Sequence, residues 1–333
     1  MTADRSNSPD GKRSVLKYPQ YVPFVLMVLL GTATSEPATE SLSPVGEEAF
    51  EAIRSFYDYD KDIPLDGRIV ERKEIEADSQ ESPPQPASTR DKIVFRGVRG
   101  FWVPGYLEIP KTGEPPYPVV LLLHGWSGDK DSWYQDGGYI SGGNMRKALL
   151  AGGYAVCALD AAAHGDRIAE NDYAPVNIYN ATDGTARKNY HTLMDILVQS
   201  VRDYRRGLDY LETRPEIDSS RVGLVGYSMG GNQAFLLPAV DERVKVIVSC
   251  VVPSDVGGWD MAGVATHNFA PRLEGRAVLM CMGKEDGFYT HEKAERIHEL
   301  IPSEEKSLIW YEAGHKLPVD WVADALSWIE DHL

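Results

Sequence analysis

Arg221–Ser228 reads RVGLVGYS, and Met229–Val240 reads MGGNQAFLLPAV. The first is a short apolar run typical of a buried strand, and the second is compatible with a helix. Between them, Gly226, Ser228 and Gly230 form a G-x-S-x-G pattern, followed by one more glycine, Gly231. A serine on a sharp strand-to-helix turn sits in a strained conformation with its hydroxyl exposed, and its neighbours two places away must lack side chains. The helix that follows points its N-terminus at the site and favours negative charge developing there. The strand before and the helix after are the context that separates such a turn from a chance match.

Working outward, further short apolar or β-branched runs read as strands: KIVFRG, GYLEIP, PVVLLLHG, YAVCALD, VKVIVSCVV, RAVLMCMG and KSLIWYE, all from Lys92 onward. Helical patterns lie between several of them. In the stretch from His191 to Arg214, the residues Leu193, Leu197, Val201, Tyr204, Leu208 and Leu211 share one face. Early strands followed by strand–helix alternation predict an α/β domain. Its central sheet is mostly parallel, of about eight strands, with helices on both faces. In such sheets ligands bind beyond the carboxyl ends of the strands, so the residues just after each strand carry the chemistry.

A serine hydroxyl needs a base. His315 follows strand SLIWYE and is the candidate; His267, in a connecting loop, is its competitor. The base needs an acid to fix its tautomer and stabilise its cation. Asp286 ends the strand AVLMCM and is the candidate, with Asp255 and Asp260 as alternatives after strand VIVSCVV. Two backbone N–H donors for an oxyanion are expected from Met229, next after the serine, and from Trp126, in the loop His124-Gly125-Trp126. His124 reads as a brace for that loop. The turn after Asp160, Ala161 to Arg167, reads as structural, with Asp166 paired to Arg167. Trp126, Trp133, Tyr134, Trp259, Phe288 and Tyr289 fall on loops at the same end. Trp133, Trp259 and Phe288 are the candidate substrate contacts, and residues 165–190 and 253–275 the candidate pocket wall.

Composition narrows the alternatives. The 333 residues carry a formal net charge of −16, which repels phosphate backbones and argues against nucleic-acid binding. Cys157, Cys250 and Cys281 each sit in an apolar run. Their odd number and the lack of a CxxC spacing give no support for a disulfide framework or a zinc site, and no cofactor is expected. At the N-terminus, Arg5, Lys12, Arg13 and Lys17 precede the apolar stretch Val22–Leu30, and small residues follow. This is the pattern of a signal peptide over residues 1–35, too short for a membrane span, and it implies an exported protein, or a cytoplasmic one if the segment has another role. Residues 36–90 read as a linker and helical arm, with Phe50, Ile53 and Phe56 at helical spacing and a proline-rich stretch after them. Residues 91–333 read as the catalytic domain.

The order Ser228, Asp286, His315 resembles that of the α/β-hydrolase superfamily over about residues 90–333. Pro118–Gly125, the G-x-S-x-G-G turn and the late G-x-x-D resemble the dienelactone hydrolase and acetyl-xylan-esterase-like branch. That resemblance implies an α/β-hydrolase fold and hydrolysis of a small-molecule carboxylic ester through an acyl-enzyme. It does not imply which ester: dienelactone hydrolase uses a cysteine where this chain has Ser228, and the carbohydrate-acetyl-esterase pattern has glutamine where it has Met229. Two other readings differ in class. A peptidase like the prolyl oligopeptidases shares the triad order but carries a large propeller ahead of it. A non-catalytic binding protein on the same fold would not need all three triad residue types.

Overall fold

The computed structural model describes residues 42–170, 193–254 and 259–333. The proposed signal segment, residues 1–35, lies outside them. Leu42–Leu333 form one compact unit, and its core is a sheet of nine strands. They are β1 (Arg68–Ile75), β2 (Ser88–Arg96), β3 (Trp102–Pro110), β4 (Tyr117–Leu123), β5 (Ala155–Leu159), β6 (Ile217–Tyr227), β7 (Val244–Cys250), β8 (Ala277–Gly283) and β9 (Lys306–Tyr311). The order across the sheet is β1-β2-β3-β5-β4-β6-β7-β8-β9. The first three strands and the β3–β5 pair are antiparallel; from β5 to β9 the sheet is parallel. All eight runs read as strands from the sequence are strands.

The ninth, β1, was not legible. It lies within the stretch read as linker and arm, and the expected boundary at residue 90 falls inside β2. The reason is physical: β1 is an edge strand exposed along nearly its whole length, so its RIVERKEI sequence has no buried face to impose apolar alternation. Its charges blunt an edge that would otherwise pair with other chains.

The parallel strands are apolar because both faces are covered. Helices α1 (Glu47–Arg54), α2 (Gly142–Ala151), α3 (Arg167–Glu170), α4 (Leu193–Glu212), α5 (Met229–Val240), α6 (Thr266–Phe269), α7 (His291–Leu300) and α8 (Trp321–His332) supply the layers. α2 packs on β3 and β5, and α8 on β7, β8 and α2; α5 packs on β4, β6 and β7, with α4 beside it. The N-terminal helix is pinned by Phe50 edge-on to Phe269 at 5.4 Å. The chain leaves β4 toward β5 on one side and reaches β6 on the other. The connections after β4 and β6 therefore run to opposite sides, and the switch point, where such sheets bind ligands, lies between these two strand ends; Leu123 and Gly226 are register partners there.

The turn after β5 is organised by buried charge. Asp160, wholly buried, accepts from the N–H of Lys130 at 2.9 Å, the Lys130 ammonium at 3.1 Å and the N–H of Asp166 at 3.0 Å. Asp166 does not pair with Arg167. It binds Lys92 at 2.7 Å and Lys130 at 3.0 Å, while Arg167 reaches into the core to Asp203 at 2.6 Å, both fully buried. Asp203 also holds the N–H of Val98 at 2.8 Å and the Gln199 amide at 2.9 Å. Beside this turn lies His124, whose Nε2 accepts from the N–H of Ala161 at 3.0 Å.

Removing one partner of an enclosed ion pair leaves the other charge stranded, so Arg167→Met is expected to lower the unfolding free energy by about 3–5 kcal/mol in urea titrations. Burial, reinforced by His164, pushes the His124 ring down to about 3 from 6.5. Between those values the unfolded chain binds a proton that the folded ring refuses, so this stabilisation is present above pH 6.5 and fades toward pH 3. Burial pushes Asp160 the other way, up to about 6, against the pull of Lys130; its stabilisation is present at low pH and lost as pH rises through 6. Relative to the unmodified protein, His124→Gln should therefore lose a slope of about 1.4 kcal/mol per pH unit between pH 6.5 and 3. Parallel stability curves for the two proteins would contradict the assignment.

Candidate active site

Ser228 joins β6 to α5 with φ 57° and ψ −113°, a positive φ that a side-chain-bearing residue rarely adopts. Its N–H donates to the Cys250 carbonyl at the end of β7 (2.9 Å), and its carbonyl accepts from Asn232 (3.0 Å). The two pattern glycines are forced by packing rather than by flexibility. A Cβ on Gly226 would lie 2.0 Å from the Gly230 carbonyl oxygen, and one on Gly230 would lie 2.0 Å from the Leu123 carbonyl oxygen. The turn can sit this tightly on β4 only without those side chains.

Ser228 Oγ lies 2.8 Å from His315 Nε2, and His315 Nδ1 lies 2.6 Å from Asp286 Oδ2. The three predicted residues, 58 and 29 positions apart in sequence, meet in one hydrogen-bonded line. A carboxylate only accepts, so Nδ1 carries the proton and Nε2 is left to accept from the serine. The Asp286 side chain is fully buried, and its other oxygen takes the N–H of Phe288 at 2.9 Å. The alternatives fare differently. Asp260 is exposed to solvent, Asp255 lies outside the described residues, and His267 sits in α6, while the ring at Ser228 Oγ is that of His315.

Sequence reasoning missed Tyr227. Its hydroxyl donates to the His315 carbonyl and accepts from the N–H of Leu317, both at 2.9 Å, so the turn that carries Ser228 also anchors the loop that carries His315. Its signal was its place as the first variable position of the serine pattern. Tyr139 was missed too. It is 54% exposed, with the Lys316 ammonium 5.9 Å from its ring, and burial together with the Asp286 charge raises its hydroxyl pKa.

Met229 opens the first turn of α5, where backbone N–H groups lack intrahelical partners. The loop after β4 lies against the serine: a Cβ on Gly125 would come within 3.4 Å of Ser228 Cβ. Trp126 follows, its ring edge-on to Trp259 at 6.3 Å. The predicted substrate contacts divide. Phe288 is 42% exposed with its ring 4.4 Å from that of His315, and Trp259 shows only a margin of its surface. Trp133 is wholly buried in the turn Lys130–Tyr134 and packs into the core. It has no face to offer a ligand, and that expectation is corrected: an aromatic near a strand end was as easily a wedge beneath α2 as a pocket wall. Of the expected wall segments, residues 171–190 and 255–258 lie outside the described residues.

Among the described residues no group of three or more His, Cys, Asp or Glu side chains is arranged to hold a metal ion, and no helix is long and apolar enough to cross a membrane.

Comparison with known proteins gives a consistent picture. A family model described as the alpha/beta hydrolase family matches residues 120–328. The YtaP protein of Bacillus subtilis (strain 168), named as a hydrolase, is 30% identical over 149 residues, covering 44% of this chain and 46% of that protein. The chain matches about half the length, or less, of its curated relatives, from 38% to 51%. Among solved structures, acetyl xylan esterase 1 from Thermoanaerobacterium sp. superposes with a TM-score of 0.63 at 20% identity, covering 86% of this chain and 94% of that one. The acetyl xylan esterase from Paenibacillus sp. R4 gives 0.62 at 17% identity, over 90% and 100%. These neighbours fall in the branch that the sequence motifs resemble. With the family model spanning β4 to α8, the chain belongs to the α/β-hydrolase family.

Proposed function

We propose that this protein is a serine hydrolase that cleaves a carboxylic ester through an acyl-enzyme on Ser228. The observation that carries this reading is the line from Ser228 Oγ through His315 to Asp286, at 2.8 and 2.6 Å. Ser228 Oγ attacks the ester carbonyl carbon while its proton passes to His315 Nε2. The carbonyl oxygen becomes an oxyanion between the N–H groups of Met229 and Trp126. Asp286 keeps the imidazole in the tautomer that can accept, then stabilises the imidazolium. His315 returns the proton to the departing alkoxide, and the C–O bond breaks to leave the acyl group on Ser228. Water repeats the sequence with His315 as base: it attacks the acyl carbon, Ser228 leaves with its proton restored, and the acid is released.

Phe288, exposed beside His315, offers an apolar surface to one side of the scissile ester. The acetyl xylan esterases that share the fold act on acetyl esters, which favours a short acyl group as the first class to assay.

On this reading, Ser228→Ala lowers turnover of a short-chain 4-nitrophenyl ester by about three orders of magnitude or more, with the far-ultraviolet circular dichroism unchanged. Activity within tenfold of the unmodified protein would remove Ser228 from the mechanism. Asp286→Asn, which favours the wrong tautomer of His315, should cost about 10⁴-fold in kcat, whereas Asp260→Asn should change it less than about threefold. A reversal of those two effects would mean that the acid is Asp260.

A further inference from the structure

The oxyanion donor contributed by Trp126 is aimed by groups that take no part in bond making. A trans peptide is planar, so the Gly125 carbonyl and the Trp126 N–H lie in one plane and point to opposite sides. Whatever fixes Gly125 O therefore aims that N–H. Two donors reach this oxygen: the N–H of Gly128 at 3.0 Å and His124 Nδ1 at 2.8 Å. Because His124 Nε2 accepts from Ala161, the proton of this ring must sit on Nδ1.

The peptide on the other side of Trp126 has its own holder. The Trp126 carbonyl oxygen lies 2.7 Å from His164 Nε2. His164 is buried, and its ring packs 5.2 Å from that of His124 and 5.6 Å from that of Trp126. It belongs to the tight turn after β5, where its own N–H donates to the Ala161 carbonyl at 3.1 Å and its Nδ1 stands 2.7 Å from the Ala162 carbonyl oxygen. Ala163, just before it, adopts a positive φ of 59°. That turn is itself fixed by the Asp160 and Lys130 pair beneath it. The ring thus spans two loops that are 38 residues apart, one rigidly anchored and the other carrying the oxyanion donor.

We propose that His164 is a positioning residue for ester turnover: it donates Nε2–H to the Trp126 carbonyl and so locks the second peptide plane beside the oxyanion donor. With His124 holding the plane before Trp126 and His164 the plane after it, the Trp126 backbone has no freedom to turn its N–H away from the developing charge. Both ring nitrogens stand 2.7 Å from a carbonyl oxygen, and a carbonyl only accepts, so the imidazolium donates to both and the neutral ring to one; the inter-loop bond requires the proton on Nε2, while burial lowers the pKa of this ring and the two carbonyls raise it. The role rests on the serine-hydrolase reading, since it matters only if charge develops at that N–H.

The test compares His164→Ala with His164→Gln, whose amide can still donate. His164→Ala should lower kcat for a short-chain 4-nitrophenyl ester about 10- to 100-fold with KM changed less than about threefold. The Ki of an alkyl trifluoromethyl ketone, which forms a tetrahedral oxyanion on the serine, should rise in step. His164→Gln should recover most of both losses, and the ring ¹⁵N shifts of His164 in the unmodified protein should show Nε2 protonated. The proposal is overturned if folded His164→Ala keeps kcat and Ki within twofold, if Gln restores nothing relative to Ala, or if Nε2 proves unprotonated. Should the Ala variant fail to fold, the Gln variant and the ¹⁵N shifts still decide. An active unmodified protein with an insensitive His164 overturns this inference alone; an unmodified protein with no turnover on any ester overturns the proposed function with it.

Discussion

One backbone bond organises this molecule: the N–H of Ser228 on the carbonyl of Cys250. It ties the turn after β6 to the end of β7 and holds Ser228 at positive φ, a conformation that costs on the order of 1–3 kcal/mol and persists only where the surroundings fix it. The surroundings do so from three sides. Gly226 and Gly230 let the turn close on β4, Asn232 begins the helix on the Ser228 carbonyl, and Val251, itself at positive φ, is pinned in turn to the Cys281 carbonyl of β8. The strained serine is thus keyed through consecutive strand ends, and its hydroxyl position is a property of the sheet rather than of a loop.

The same logic runs through the parts that face it. Tyr227 links the Ser228 turn to the His315 loop with two hydrogen bonds of its hydroxyl. His124 and His164 connect the loop after β4 to the turn after β5. Beneath these lie charges taken out of water: Lys130 with Asp160, and Arg167 with Asp203. Such pairs add little net stability over an apolar filling. Their geometry fixes where the turn after β5 runs, and that turn is what the histidines lean on.

How much of this could be read from the amino-acid order follows from what each residue had to satisfy. The other eight strands were legible because each carries an apolar run, continuous where both faces are buried, as in β4, β5 and β8, and still present in β9, the half-buried strand at the opposite edge. Strand β1 was not, because an exposed, charged edge strand has no pattern to betray it. That Ser228, His315 and Asp286 would come together was legible because each follows a strand in a parallel sheet, where topology alone brings strand ends together. Trp133 was misread since position after a strand does not say which way a side chain turns; packing under α2 decided it. Likewise Asp166 and Arg167 are adjacent in sequence, yet the turn sends one outward to Lys92 and Lys130 and the other inward to Asp203. Tyr227 and His164 act through backbone carbonyls, which no residue pattern records.

The central claim is that Ser228 is the one activated nucleophile. It is tested most directly by treating the protein with a fluorophosphonate and locating the adduct by peptide mass mapping. The account predicts stoichiometric modification at Ser228, abolished when His315 is replaced by alanine. An adduct on a different residue, or labelling of Ser228 that is indifferent to His315, would contradict it.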